Sequence, residues 1–294
     1  MRHVVIACIL GSLLSIACSE QDHQRLAASE QTTNKVDAMS AQMLIKLGES
    51  GIHFAKRYPD QVRVTHQPAG LDFYNARWPK APHASVKVES GSHAFTVAHV
   101  LSVQSAQELG PLAGEGLYEF TINAGITEPD LIAHDEARVK TYAILNELVR
   151  IGWKPVVERS EPRLRGKDRF DHTMATESVN GLDPDYLPTL EEWMRIESRT
   201  PWMFHAPGAY LEVTFTRERT LIDPAKPGSY MLTFNVQTEA EHFRGYVASD
   251  DRPRWKVLLP KVLSGLSGVR AQKEKELRAK GVRLDEAYVD PPAP

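Results

Sequence analysis

The chain has 294 residues, 42% of them hydrophobic and 25% charged, with a net charge of −3. That is enough apolar material for a globular core in one large domain or two modest ones. The near-neutral charge disfavours nucleic acid as a partner, and the two cysteines, Cys8 and Cys18, lie too early in the chain for a disulfide framework or a cysteine-based metal site in the body.

Arg2 and His3 precede an apolar run over residues 4–17 (VVIACILGSLLSIA), and polar sequence (SEQDHQ) follows at once. This is the order of a secretory signal, and the run is too short to span a bilayer. Two processing routes fit its end. Ser15-Ile16-Ala17 satisfies the small-x-small rule of ordinary cleavage. Leu14-Ser15-Ile16-Ala17-Cys18 resembles the bacterial lipobox, whose cysteine becomes a lipidated N-terminus, although Ser15 stands where Leu is usual. A lone thiol is disfavoured in an oxidising compartment, and a polar stretch follows Cys18 as a tether would. The expectation is therefore a signal peptide over 1–17, lipidation at Cys18 and a flexible tether over 18–36. Each buried acyl CH₂ adds about 0.8 kcal/mol of membrane affinity. Ser19 after the cysteine points to the outer membrane, so the expected location is the periplasm, anchored there by the lipid.

Beyond the tether, Met39, Met43, Leu44 and Leu47 predict a helix to about Gly48, followed by a turn. Gln61–His66 alternates as a strand does. Residues 84–89 and 93–100 are strands joined through Ser90-Gly91-Ser92, a hairpin signal. After the glycine-rich stretch 110–116, residues 117–124 (LYEFTINA) alternate again. Thr127-Glu128-Pro129-Asp130 reads as a helix start. That helix runs to about Ile151 on Leu131, Ala137, Tyr142, Leu145 and Leu148, and Gly152 ends it. Trp153–Val157 reads as a short strand.

Residues 159–188 are polar and broken, and read as an extended connecting loop with room for one short element between a first α+β half (37–158) and a second (189–283). The second half opens on a capping box from Thr189 to Glu192. Strands follow over Trp202–His205, Tyr210–Glu218 and Ser229–Thr238, with Pro207-Gly208 as a tight turn. Residues 240–247, 254–263 and 268–281 read as helical, the last as an exposed terminal helix, and 284–294 as a disordered tail. Trp78-x-x-Ala81-Pro82-x-Ala84 is echoed by Ala206-Pro207-x-Ala209 after Trp202, from tandem duplication or from shared turn grammar. Short turns predict antiparallel pairing. The expected fold class is α+β, with mainly antiparallel sheets, helices packed on one face, and two similar halves as an option.

Chemical motifs are weak. His93 and His99 would share one face of a straight strand, but no further metal ligand lies close in sequence. His134-Asp135-Glu136 falls in the first turn of the long helix, where acids complement the dipole. Asp168, Asp171 and His172 lie among Arg163, Arg165, Lys167 and Arg169, an alternation of charge typical of a solvated loop. GPLAGEG lacks the Lys-Ser/Thr of a phosphate loop, and there is no nucleophile elbow. Trp193, Trp202, Phe204 and Tyr210 form a dense aromatic stretch that suits a core or a partner surface. No catalytic, cofactor or metal residue is expected, and the chain reads as a binding protein rather than an enzyme.

Two stretches, INAGITEPDLIAHDEARVKTYAILNELVRIGWKP and LPTLEEWMRIESRTPWMF…GAYLEVTF, together with the lipoprotein-like start, resemble proteobacterial periplasmic immunity lipoproteins paired with type VI secreted lipase or phospholipase effectors. The resemblance implies a non-catalytic inhibitor with no cofactor that binds a cognate toxin and covers its active-site mouth. Loop composition nominates Arg163, Arg165 and Arg169, and the aromatic residues Trp202, Phe204 and Tyr210, as the contacts. The alternative is an envelope-associated structural or binding lipoprotein.

Overall fold

The structure is a computed structural model and describes residues 42–79, 81–110, 112–176 and 181–294. The expected signal peptide and tether, with Cys18, lie outside the described residues. The strands are β1 (Gln42–Lys46), β2 (Arg63–Gln67), β3 (Leu71–Arg77), β4 (Ala84–Glu89), β5 (Phe95–Glu108), β6 (Glu119–Gly125), β7 (Leu131–Ala133), β8 (Lys154–Pro155), β9 (Trp202–Ala206), β10 (Ala209–Arg217) and β11 (Pro227–Thr238). The helices are α1 (Gly51–Arg57), α2 (His134–Arg150), α3 (Gly166–Ala175), α4 (Leu190–Arg195), α5 (Glu239–Arg244) and α6 (Trp255–Ala279).

This is an α+β fold built on one mostly antiparallel sheet. Its strand order is β1-β4-β5-β6-β11-β10-β9-β8, with β3 and then β2 joined to β5, and β7 to β11. β5 serves two neighbours on one side: its first half pairs with β4 and its second with β3. The two sequence halves are not separate sheets. β6 pairs with β11 from Gly125↔Met231 to Glu119↔Gln237, so a single sheet runs through both.

Alternation along the strands divides the sheet into two chemically distinct faces. Phe120, Ile122, Val213, Phe215, Leu232 and Phe234 point to one face and are essentially inaccessible. Phe54 of α1, Leu145 and Leu148 of α2, Phe170 of α3 and Trp193 of α4 share that core. Each such side chain contributes roughly 1.5–3 kcal/mol by burial. Trp193 stacks on Phe215 with ring centroids 4.7 Å apart. The capping box of α4 forms as expected: Thr189 Oγ1 accepts from Glu192 N–H, and Glu192 Oε2 accepts from Thr189 N–H. Helices α1 to α4 take the expected face, and α5 and α6 extend the packing to the other. There Phe243, Trp255 and Leu259 gather over Tyr210 and Met203.

Three local expectations are corrected. Residues 42–46 form a strand rather than part of a helix, because Met43 and Ile45 alternate into the core while Gln42 and Lys46 face outward. The long helix starts at His134, not near Thr127, because Leu131–Ala133 first pairs with Pro227–Ser229. The C-terminal tail is fixed. Val157 N–H donates to Tyr288 Oη at 2.9 Å, Arg159 Nη2 to the Pro291 carbonyl at 2.5 Å, and Arg270 Nη1 to Asp290 Oδ2 at 2.7 Å.

Candidate functional site

The residues nominated by loop composition are structural. Arg163 donates through Nε and Nη2 to the two oxygens of Glu274, both at 2.8 Å, and its own backbone N–H reaches the same carboxylate. This pairing holds the Glu274 carboxyl below the usual range. Arg169 is buried and donates to the carbonyls of Gly181 and Val156, at 2.5 and 3.0 Å. Only Arg165 remains substantially open, 3.3 Å from Asp185. Lys273 and Arg270 of α6 grip Glu161 and the Glu158 carbonyl. The stretch 158–165 is therefore strapped to α6, and is not a free loop. Trp202, Phe204 and Tyr210 are 0–1% exposed and cannot meet a partner. Strand alternation sends the first two into the main core and Tyr210 under α5, where it stacks on His242 at 3.5 Å.

Other motifs resolve in the same way. Gly116 has φ +63° and passes so close to the Glu49 carbonyl that a Cβ would lie 2.5 Å from it, so the glycine-rich loop is a packing device. Arg244, itself buried, fixes that loop through Glu115 at 2.7 Å. His134 is buried rather than a surface cap. Tyr230 Oη accepts from Arg217 Nε and Trp193 Nε1, both at 3.1 Å, and lies 2.5 Å from His134 Nδ1. Two donors already occupy the phenol oxygen, so its proton goes to Nδ1 and His134 is the neutral Nε2–H tautomer. Burial lowers its pKa in the same sense. His93 sits in a turn before β5 and His99 in the irregular stretch where β5 shifts register against β4, so the straight-strand geometry that would pair them is not formed. Among the described residues no group of three His, Cys, Asp or Glu could hold a metal ion.

What remains open is the second face of the sheet. Register places Glu212, Asn235, Thr121, Gln104, Asn75 and Arg63 in one row across β10, β11, β6, β5, β3 and β2. A neighbouring row holds Thr214, Thr233, Asn123, Ser102 and Arg77. Apart from Thr214, these side chains are half-exposed or exposed. Cross-strand hydrogen bonds pre-order them: Thr233 Oγ1 donates to Asn123 Oδ1 at 2.8 Å, and Asn123 Nδ2 to Ser102 Oγ at 3.0 Å. Asn235 Nδ2 donates to Glu119 Oε1 at 3.1 Å. The face is electrically polarised, with Glu212 at its β10 end, Glu119 on β6, and Arg63 and Arg77 at the β2–β3 end. Burial pushes the Glu119 carboxyl above its ordinary range. Burial and the Glu119 charge do the same to Glu212.

Neither protein-family models nor curated proteins nor solved structures give a match to this chain. The polar face rests on its own geometry.

On the helix side, a groove of about 790 Å³ separates α2 from the first half of β5. Phe95, Val97, Leu232 and Phe234 lie on its sheet side, Ile144 and Leu148 on its helix side. His99 closes one end, with Nδ1 2.8 Å from Glu128 Oε2, which lowers the pKa of that carboxyl. Sequence reasoning missed both surfaces, because each depends on register between strands far apart in the chain.

Proposed function

We propose that this chain is a non-catalytic, lipid-anchored periplasmic inhibitor that binds a secreted toxin, of the lipase or phospholipase kind, and covers its active-site mouth. One observation carries the reading: a broad, pre-ordered polar sheet face that stands open opposite the face covered by α1 to α4. With strands about 4.8 Å apart, the rows cover roughly 360 Å² in plan. A standard interface takes about 800 Å² from each partner. The toxin therefore also reaches the flanking surface. The polarised charge gives the encounter one preferred orientation. Cys18 would hold the inhibitor where such a toxin arrives.

The test directs a lipase-type toxin encoded beside this chain's gene to the periplasm of cells with and without the chain. Restored growth and a stoichiometric complex are expected; killing that continues unabated overturns the reading. Cys18→Ser separately tests the anchor. It should move the protein out of the membrane fraction, and an unchanged distribution would assign the N-terminus to ordinary signal cleavage.

A further inference from the structure

We propose that the groove between α2 and β5 is a strand-addition slot, which takes an extended peptide segment of a partner as an extra strand on β5. The observation is a gap in the ladder. β5 pairs with β4 from Phe95 to Val100, but its pairing with β6 on the opposite side begins only at Val100. Among the described residues, no backbone partner on that side is formed by Phe95–His99. The break has a local cause. His99 takes φ +55°, unusual for a residue with a side chain, and the register with β6 shifts between Val100 and Ser102. A bulge of this kind turns the strand away and ends pairing.

Pairing with β4 is regular over Phe95–Val97, so the side of that stretch turned away from β4 borders the groove, and Thr96 and Ala98 are exposed beside it. Unpaired edges are normally guarded by charge or proline. The edge strand β2 carries such a guard in Arg63, whereas FTVAH at 95–99 has no Lys, Arg or Pro and has two β-branched residues. The opposite wall is one stripe of α2 (Lys140, Ala143, Ile144, Glu147 and Leu148), continued by Ile151 just beyond its end. It extends for about 16 Å of helix, and five residues of extended chain also span about 16 Å. A guest strand would satisfy the free edge with its backbone and send alternate apolar side chains toward Leu232 and Phe234, the strand-addition mode of recognition. An acyl chain would fill the apolar floor but leave the edge unpaired. The slot lies on the helix side of the sheet, so it stands independently of the polar face.

The probe is an octapeptide of alternating Val and Thr with charged ends, titrated into the ¹⁵N-labelled protein. Shifts at Phe95–His99 and along Ala143–Ile151 are expected, with amide exchange at Phe95–His99 slowed at least tenfold. A peptide of the same sequence, N-methylated at alternate residues so that one edge loses its donors, should bind at least tenfold more weakly. Ala143→Trp, at an exposed wall position, should block the slot while leaving the melting temperature unchanged. Equal binding of the methylated peptide, shifts located elsewhere, or occupation of the groove by laurate but not by the peptide would each overturn the proposal.

Discussion

The two faces of the sheet obey the same register and do opposite work. One carries Phe120, Ile122, Val213, Phe215 and Phe234 beneath four helices. The other carries Thr121, Asn123, Glu212, Thr214 and Asn235 and is covered mainly over Tyr210 and Met203. A packed face fixes the fold, because shifting register by one residue would move every core side chain to the polar side. The polar face is then free to vary chemically without risk to the fold. Stability and recognition are separated here by a period of two residues.

Truncation on the packed face should produce the largest effect. Trp202→Ala should cost about 3–5 kcal/mol, read as a lower urea midpoint, whereas Gln104→Ala on the polar face should stay within about 0.5 kcal/mol. Comparable losses at both positions would erase the distinction.

Acid tests the covered end of the second face. Burial pushes His242 down to about 3, so the folded protein holds it neutral. The unfolded chain takes up a proton near the ordinary value of about 6.5. Stability conferred by the neutral ring is complete above that value and is lost as pH falls toward about 3, by up to about 1.4 kcal/mol per unit. His242→Phe should flatten that part of the stability–pH curve. An unchanged slope would mean that the ring is not the group responsible.

The strap on 158–165 comes next. Arg163→Ala leaves the buried Glu274 carboxylate without its main partner and should cost about 1.5–3 kcal/mol. A variant as stable as the parent would restore that stretch as a free contact loop. Glu212→Gln is the smallest. The carboxyl is held above its usual pKa, so its charged form opposes folding at neutral pH. Neutralising it should raise stability by about 0.5 kcal/mol. A fall in melting temperature would reveal a favourable role for the charge within the folded chain.

Much of the fold was legible wherever a signal was local. The Thr189–Glu192 box, the 84–100 hairpin and the Pro207-Gly208 turn depend on neighbours in sequence, and all form. Signals that required tertiary partners misled. Met43 and Leu44 fit a helical spacing, but the sheet recruits Met43 and Ile45 as alternating strand positions. Leu71–Arg77 is masked by its own pattern: Asp72 takes a buried position and Phe73 an exposed one, although the strand pairs both with neighbouring β2 across residues 68–70 and with the second half of β5. Pro291 and Pro292 made the tail look frayed, whereas Tyr288 and Asp290 bind it to Val157 and Arg270. The candidate site was hidden for a related reason. Thr121, Asn235, Gln104 and Arg63 are ordinary polar residues in sequence and form a surface only after six strands align. Arginine and aromatic content drew attention to Arg169 and Trp202, which folding places inside.

The most direct measurement is toxin affinity with the centre of the polar face altered. Thr121→Arg combined with Gln104→Arg changes side chains that are only half-buried or exposed. The account predicts a loss of at least 100-fold in affinity and of protection in co-expressing cells, at an unchanged melting temperature. Undiminished binding and protection by that variant would place the interface elsewhere and contradict the account.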